Sequence, residues 1–331
     1  TQAPMRAWSG KTLSAARASR TVGAGPMERR MNGSSFGNVR GLGVASRRAV
    51  LTGCLALAAC GRKASGGSSA KPATLEGAVA GDWRLPEDRA RDPWRHPVES
   101  LRFWRVKPGS TVVEFWPGAG WYTDILAPYL AATGGKLYAA NLQTDDPTDP
   151  AAAEIVEAYR KRVTARPRLY GKVEITAFGP TSGPAAPTGS ADVVLFLRNI
   201  HNWMAAGVAE KAFADAFAAL KPGGVLGVEE HRAAPGGVQD ALAESGYVQQ
   251  AYVVQLAQEA GFVLDEASEL NANPKDTRDH PFGVWTLPPV RRSSPRGEAP
   301  DPAFDHSKYD AIGESDRMTL RFVKPKTRPA T

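Results

Sequence analysis

Thr111–Phe115 is a short run of β-branched and aromatic residues. It stops at an acid, a proline and two glycines before Asp124–Leu130 opens a helical pattern. A strand that ends in a glycine turn and feeds a helix is the building unit of layered α/β sheets, so this stretch restricts the fold most. It also leaves backbone N–H groups and a positive dipole end beside the loop, which suits a nucleotide-like or carboxylate ligand. Gly118 and Gly120 let a ligand approach the backbone, where a Cβ would collide with it. The acid at the strand tip narrows the choice further. Glu114 would repel a pyrophosphate, and Trp121-Tyr122 fill the place of a third glycine, so the dinucleotide pattern Gly-x-Gly-x-x-Gly is not met. A carboxylate in this position favours a cation or an amine.

A chain of 331 residues holds one large domain or two small ones. Its net charge of +7 is not spread evenly. Residues 1–59 contain nine of the 41 basic residues but one of the 34 acids, which leaves 32 against 33 in the remainder. Nucleic-acid binding needs clustered Lys and Arg, so a nucleic-acid surface on the folded part is not expected.

The basic leader has its own logic. Ser46-Arg47-Arg48 precedes Val50-Leu51 and an apolar run through Leu57-Ala58-Ala59 to Cys60. That run is too short for the roughly 20 residues of a spanning helix and is ordered like a signal peptide. Leu57–Cys60 resembles a bacterial lipobox, and the arginine pair resembles a twin-arginine export signal. The resemblance implies removal of residues 1–59, a lipid on Cys60 that ties the chain to the membrane on the periplasmic side, and no internal disulfide. Residues 60–81 are expected to be a flexible tether, 82–324 the folded domain and 325–331 a tail.

Within the domain, Val98, Leu101 and Trp104 share one helical face behind Pro97, while Arg91, Asp92, Arg95 and His96 are expected on a solvated turn. Further strands are expected at Lys136–Asn141, Lys172–Phe178, Ala191–Leu197, Val225–Arg232, Gly261–Ala267 and Arg317–Val323. Helices are expected at Glu154–Arg166, Ala205–Leu220 and Tyr247–Ala260. Ala191–Leu197 is nearly unbroken apolar, as in the middle of a parallel sheet. It runs into Arg198-Asn199-Ile200-His201-Asn202-Trp203, at the strand end where open α/β sheets bind ligands. Leu270–Ser315 is a long polar connection that reads as a lid or binding loop.

Glu114 with Gly118 and Gly120 resembles the first motif of class I S-adenosylmethionine-dependent methyltransferases, with Trp116-Pro117 where the first glycine is expected. Leu220-Lys221-Pro222-Gly223-Gly224 resembles the turn before their fifth strand. The Pro117–Thr123 loop and the Ser315–Leu320 ending are most similar to a group of exported bacterial methyltransferases known from sequence, over about Asp82 to Lys324. The resemblance implies a doubly wound α/β fold with a seven-stranded, mostly parallel sheet whose last strand is antiparallel. It implies S-adenosylmethionine as cofactor, whose sulfonium and ammonium groups suit Glu114. Pro117, Gly118, Gly120, Trp121 and Tyr122 would surround that cofactor. Asn141 would meet the ribose in place of the usual acid, and Arg198 and Asn199 would complete the cofactor side.

Methyl transfer is an in-line displacement that needs alignment and a base. His201 and His231 end neighbouring expected strands and can face one pocket, with Glu230 to orient a histidine or act as base. Hydrogen-bonded structural histidines are the alternative. None of His201, Glu230, His231 and His280 stands at a recognised ligand spacing such as His-Glu-x-x-His, so no metal is expected. Trp121, Tyr122 and Trp203 are candidate cation–π walls for a sulfonium, or core. The expected partner is a small or envelope-associated methyl acceptor. A non-catalytic metabolite-binding lipoprotein on the same fold is the alternative, favoured by Trp116-Pro117 and Asn141.

Overall fold

A computed structural model describes residues 72–145 and 150–326. The leader, the arginine pair, Cys60, the first part of the tether, Asp146 and the end of the tail lie outside the described residues. Four short helices come first: α1 (Leu75–Val79), α2 (Pro86–Arg89), α3 (Asp92–Arg95) and α4 (Pro97–Phe103). Then follow β1 (Thr111–Phe115), α5 (Thr123–Thr133), β2 (Lys136–Leu142), α6 (Pro150–Thr164), α7 (Pro167–Tyr170), β3 (Val173–Phe178) and β4 (Ala191–Leu197). The second half holds α8 (Ile200–Ala205), α9 (Ala209–Ala219), β5 (Leu220–His231), α10 (Gln250–Glu259), β6 (Val263–Ser268), α11 (Ser307–Ile312) and β7 (Arg317–Val323). The strands form one sheet in the order β3-β2-β1-β4-β5-β7-β6, parallel except for β7, which runs antiparallel to both neighbours. The order turns back between β1 and β4, and that switch point is where ligands of such sheets bind.

Side-chain alternation along the strands sets up the site. Val113 and Phe115 enter the core layer with Phe196, Trp203 and Phe213. Val112 enters the opposite layer with Leu101, Ile125 and Leu126. Glu114 shares the face of Val112 and therefore points toward α5. In β5 the neighbouring acids Glu229 and Glu230 are sent to opposite faces by the same period of two. Gly227 sits between them and Val225, where a Cβ would come within 2.4 Å of the Trp104 ring, so glycine lets that indole lie on the sheet.

Three expectations need correction. The tether ends earlier than Gly81, because Leu75 and Ala78 are buried with Leu101 and Ile125 and the Thr74 hydroxyl caps α1 by accepting from Gly77 N–H at 3.0 Å. The helix expected over Ala205–Leu220 starts only at Ala209, since Gly207 takes φ +66° and turns the chain after α8, a short helix that was not expected. Leu270–Ser315 is no open lid: it carries a 3-10 turn at Gly283–Thr286 and α11, and Asn271, Asn273, Asp276 and His280 are buried in it. Asp276 accepts from the Tyr247 hydroxyl at 3.0 Å and from Asp316 N–H at 2.7 Å, with His280 Nε2 at 2.8 Å. These bonds tie the strap to the start of β7.

Candidate active site

Glu114 is 2 % exposed at the tip of β1. Its Oε2 accepts from the Thr123 hydroxyl at 2.6 Å, and Thr123 Oγ1 lies 3.0 Å from the Tyr159 hydroxyl. Burial pushes the carboxyl up to about 7; the Thr123 bond opposes that only in part. Past it, Trp116 holds φ +44°, a backbone state that a glycine adopts freely and a side chain resists. Its indole donates to Phe178 O at 2.9 Å and packs against Phe178 and Trp203. Gly118 has φ +59°, and a Cβ there would meet nothing within 4 Å, whereas one at Gly120 would touch Thr123 and Tyr159. Gly118 thus has no close neighbour on that side among the described residues. Pro117 is half-buried beside it.

The remaining cofactor-side residues divide. Asn141, buried at the tip of β2, accepts from Leu142 N–H through Oδ1, while its Nδ2 has no partner among the described residues. Asn199 donates through Nδ2 to Trp116 O at 3.0 Å and Leu197 O at 3.3 Å, which clamps the loop to the tip of β4. Trp121 does not wall the loop as expected: its ring lies between the Arg84 and Arg95 guanidiniums, at 5.1 and 4.9 Å, and its N–H donates to Asp88 O. Trp203 is core, against Phe115, Phe178 and Phe196. Tyr122 is buried and donates to Glu229 Oε2 at 3.1 Å.

Tyr122 opens a network that spacing did not show. Arg198, strained at φ +60°, donates to Glu229 Oε1 at 3.0 Å, and Arg317 Nε lies 3.2 Å from the same oxygen. Arg317 also bonds Glu314 and Trp94 O, and Arg91 and Arg95 bond Glu314. The turn expected to be solvated thus closes a buried charge cluster, with Arg95 2 % exposed and its Nη1 unpartnered. Burial lowers the Arg95 guanidinium to about 9, helped by Arg198. The Ser-Asp-Arg run before β7 was the one available signal, as charges next to a buried strand need partners.

On the other face of β5, Glu230 is fully buried. Its Oε2 accepts from Ile200 N–H at 2.6 Å and its Oε1 from His231 N–H at 2.8 Å, with His201 Nδ1 at 2.9 Å from Oε1. The His201 and His231 rings are 5.4 Å apart, so the fold does bring the three expected catalytic residues together. Burial keeps His231 well below its ordinary value, reinforced by His201, Arg198 and Arg317, so its imidazole is neutral near pH 7. His280 belongs to the strap with Asp276. Tyr247 packs its ring 6.4 Å from His231 and lines a cavity of about 250 Å³ with Ala233, Gln249, Thr277 and Arg278. That cavity lies just beyond the carboxyl end of β5; His201 and His231 are not among the residues that line it.

Six parallel strands with β7 reversed, and an acid and a bare glycine at the switch point, decide the architecture. It is the Rossmann-like fold of the methyltransferase type. No protein-family model matches the chain, and no curated protein does. Solved structures similar to it include an S-adenosylmethionine-dependent methyltransferase from Aquifex aeolicus, 20 % identical with a TM-score of 0.42, covering 54 % of this chain and 86 % of that one. The [4+2]-cyclase SpnF is 14 % identical with a TM-score of 0.45, covering 76 % and 92 %. A phosphoethanolamine N-methyltransferase from Haemonchus contortus, in complex with S-adenosyl-L-methionine, is 14 % identical with a TM-score of 0.44, covering 70 % and 53 %. A shared fold leaves the reaction open, so function is argued from the side chains.

Proposed function

We propose that the chain is an S-adenosylmethionine-dependent methyltransferase acting on a small or envelope-associated acceptor. One observation carries the reading: Glu114 is a buried acid that makes no ion pair among the described residues, with Arg198 acting on it only from a distance, at the start of the loop that carries Gly118. A buried carboxylate is stabilised by a positive group, and an α-ammonium or sulfonium supplies one. Gly118 would admit the ligand, and the orphaned Asn141 Nδ2 offers a donor for a ribose hydroxyl. Bound there, the sulfonium supplies an electrophilic methyl group. The chain's own residues do the rest. Glu230 holds His201 through Nδ1, which leaves Nε2 to take a proton from an acceptor bound beside His231 and Tyr247. Tyr122, Glu229 and Arg198 fix the floor between the two halves.

Calorimetric titration of the chain from Gly61 onward with S-adenosylhomocysteine tests this. Micromolar binding is expected, weakened at least about 100-fold by Gly118→Val, which puts a branched side chain on that side of the loop. No binding at millimolar ligand sinks the proposal. A second reading, binding without catalysis, is favoured by Trp116, whose indole fills space beyond β1 against Phe178 and Trp203. Tight binding with no labelled methyl transferred to an envelope extract would select it.

The leader motif supports export and a lipid on Cys60 as a separate proposal. Palmitate labelling that persists in Cys60→Ala would overturn it.

A further inference from the structure

Buried acids near the carboxyl edge of β5 are paired with guanidiniums: Glu229 with Arg198 and Arg317, Glu314 with Arg95, Asp316 with Arg232 and Arg278. Asp276, bonded to Tyr247 and His280, and Glu230 are the exceptions there among the described residues; Glu230 is the deeper. It is 0 % exposed, and its described partners are two backbone N–H groups and one imidazole. A carboxylate so deep is costly unless a cation joins it. The nearest groups able to hold one are histidines. Donor atoms of His201, Glu230 and His231 lie within 4.8 Å of one another.

We propose that His201, Glu230 and His231 form a binding site for a divalent first-row transition metal. Two imidazoles and one carboxylate select zinc, cobalt or iron(II) over magnesium or calcium, which prefer all-oxygen sets. The spacing is close to what such an ion needs. Donors about 2.1 Å from a tetrahedral ion lie about 3.4 Å apart, and His201 Nδ1 and Glu230 Oε1, hydrogen-bonded at 2.9 Å, need to separate by only about 0.5 Å to accept one. His231, whose donor atom lies within 4.8 Å of the others, closes the set by a movement of up to about 1.4 Å. A second layer is already built. Ser315 Oγ holds His231 Nδ1, which orients the ring and leaves Nε2 as donor, and Ile200 N–H fixes Glu230 Oε2. Three protein ligands leave positions for water or for an acceptor oxygen. Held by His201, Glu230 and His231, such an ion would supply Lewis-acid assistance to an acceptor hydroxyl, in place of the His201 lone pair. The metal site itself does not depend on the methyl-transfer reading.

The chain, stripped with chelator and free of cofactor, is titrated with cobalt(II) and zinc by calorimetry, with cobalt(II) also followed by visible absorption. One equivalent binding at micromolar Kd or tighter, with a visible band, is expected. His201→Ala and His231→Ala should each weaken it at least about tenfold, with His306→Ala unchanged and all melts compared. Binding that survives both substitutions, or no band and no heat at 100 micromolar metal, overturns the proposal. Because no nucleoside is present, failure here leaves the S-adenosylhomocysteine titration untouched.

Discussion

Replacing Arg317 by alanine lowers the unfolding free energy by about 3–5 kcal/mol at pH 7, the range for removing one partner from a buried ion pair. Arg317 is 1 % exposed and joins Glu314, Glu229 and Trp94 O at once. Without it two carboxylates stay buried with fewer partners. Burial pushes the Glu314 carboxyl up, but Arg95, Arg317, Arg198 and Arg91 outweigh it and hold the group well below 4.5. Its folded pKa is below its unfolded one, so the stability it brings is present above about pH 4.5 and fades as pH falls further. The gap between wild type and Arg317→Ala should therefore narrow in acid. Urea unfolding at pH 7 and pH 3.5 measures both. A loss under about 1 kcal/mol at pH 7 would mean that the cluster does not hold the strap and α3 to the sheet.

Glu114 carries the opposite sign. Burial raises its carboxyl from 4.5 to about 7, so between those values the folded chain holds a proton that the unfolded chain has lost, and stability falls as pH rises. The shift corresponds to roughly 3 kcal/mol. Glu114→Gln keeps an acceptor for Thr123 and removes the charge. Wild type and variant should be within about 1 kcal/mol at pH 4.5 and diverge by roughly 3 kcal/mol above pH 8, with the variant the more stable. Parallel stability curves would place the carboxylate in a far wetter setting than the one described.

Much of the architecture was legible in the sequence because it follows from hydrophobic period and turn chemistry. Ala191–Leu197 and Arg317–Val323 were readable to the residue, the first as a nearly unbroken apolar run and the second by apolar Met318, Leu320 and Phe322 at every other position. Gly207 shortened a helix whose apolar spacing runs straight across it. The Ala- and Gly-rich stretch before Gly81 hid α1, whose two buried residues are too few to make a pattern. At the site, the acid-led glycine loop and the pairing of His201 with His231 were legible, as the loop and His231 lie at strand ends and His201 follows β4 in the first turn of α8. Where the side chains point was not. Trp121 turns toward Arg84 and Arg95, and Arg95 meets a glutamate more than two hundred residues later. No local pattern encodes that contact, and in the guanidinium cluster around Glu229 and Glu314 only the Arg317–Glu314 pair is local.

The seat for a positively charged nucleoside at Glu114 is tested most directly by the proton that leaves it. Titrating S-adenosylhomocysteine at pH 7 in two buffers of different ionisation enthalpy should show release of about half a proton per ligand, because an acid half-protonated when free becomes ionised beside an ammonium. In Glu114→Gln the release should vanish and affinity should fall at least about tenfold. Tight binding with the same proton count in both proteins would contradict the account.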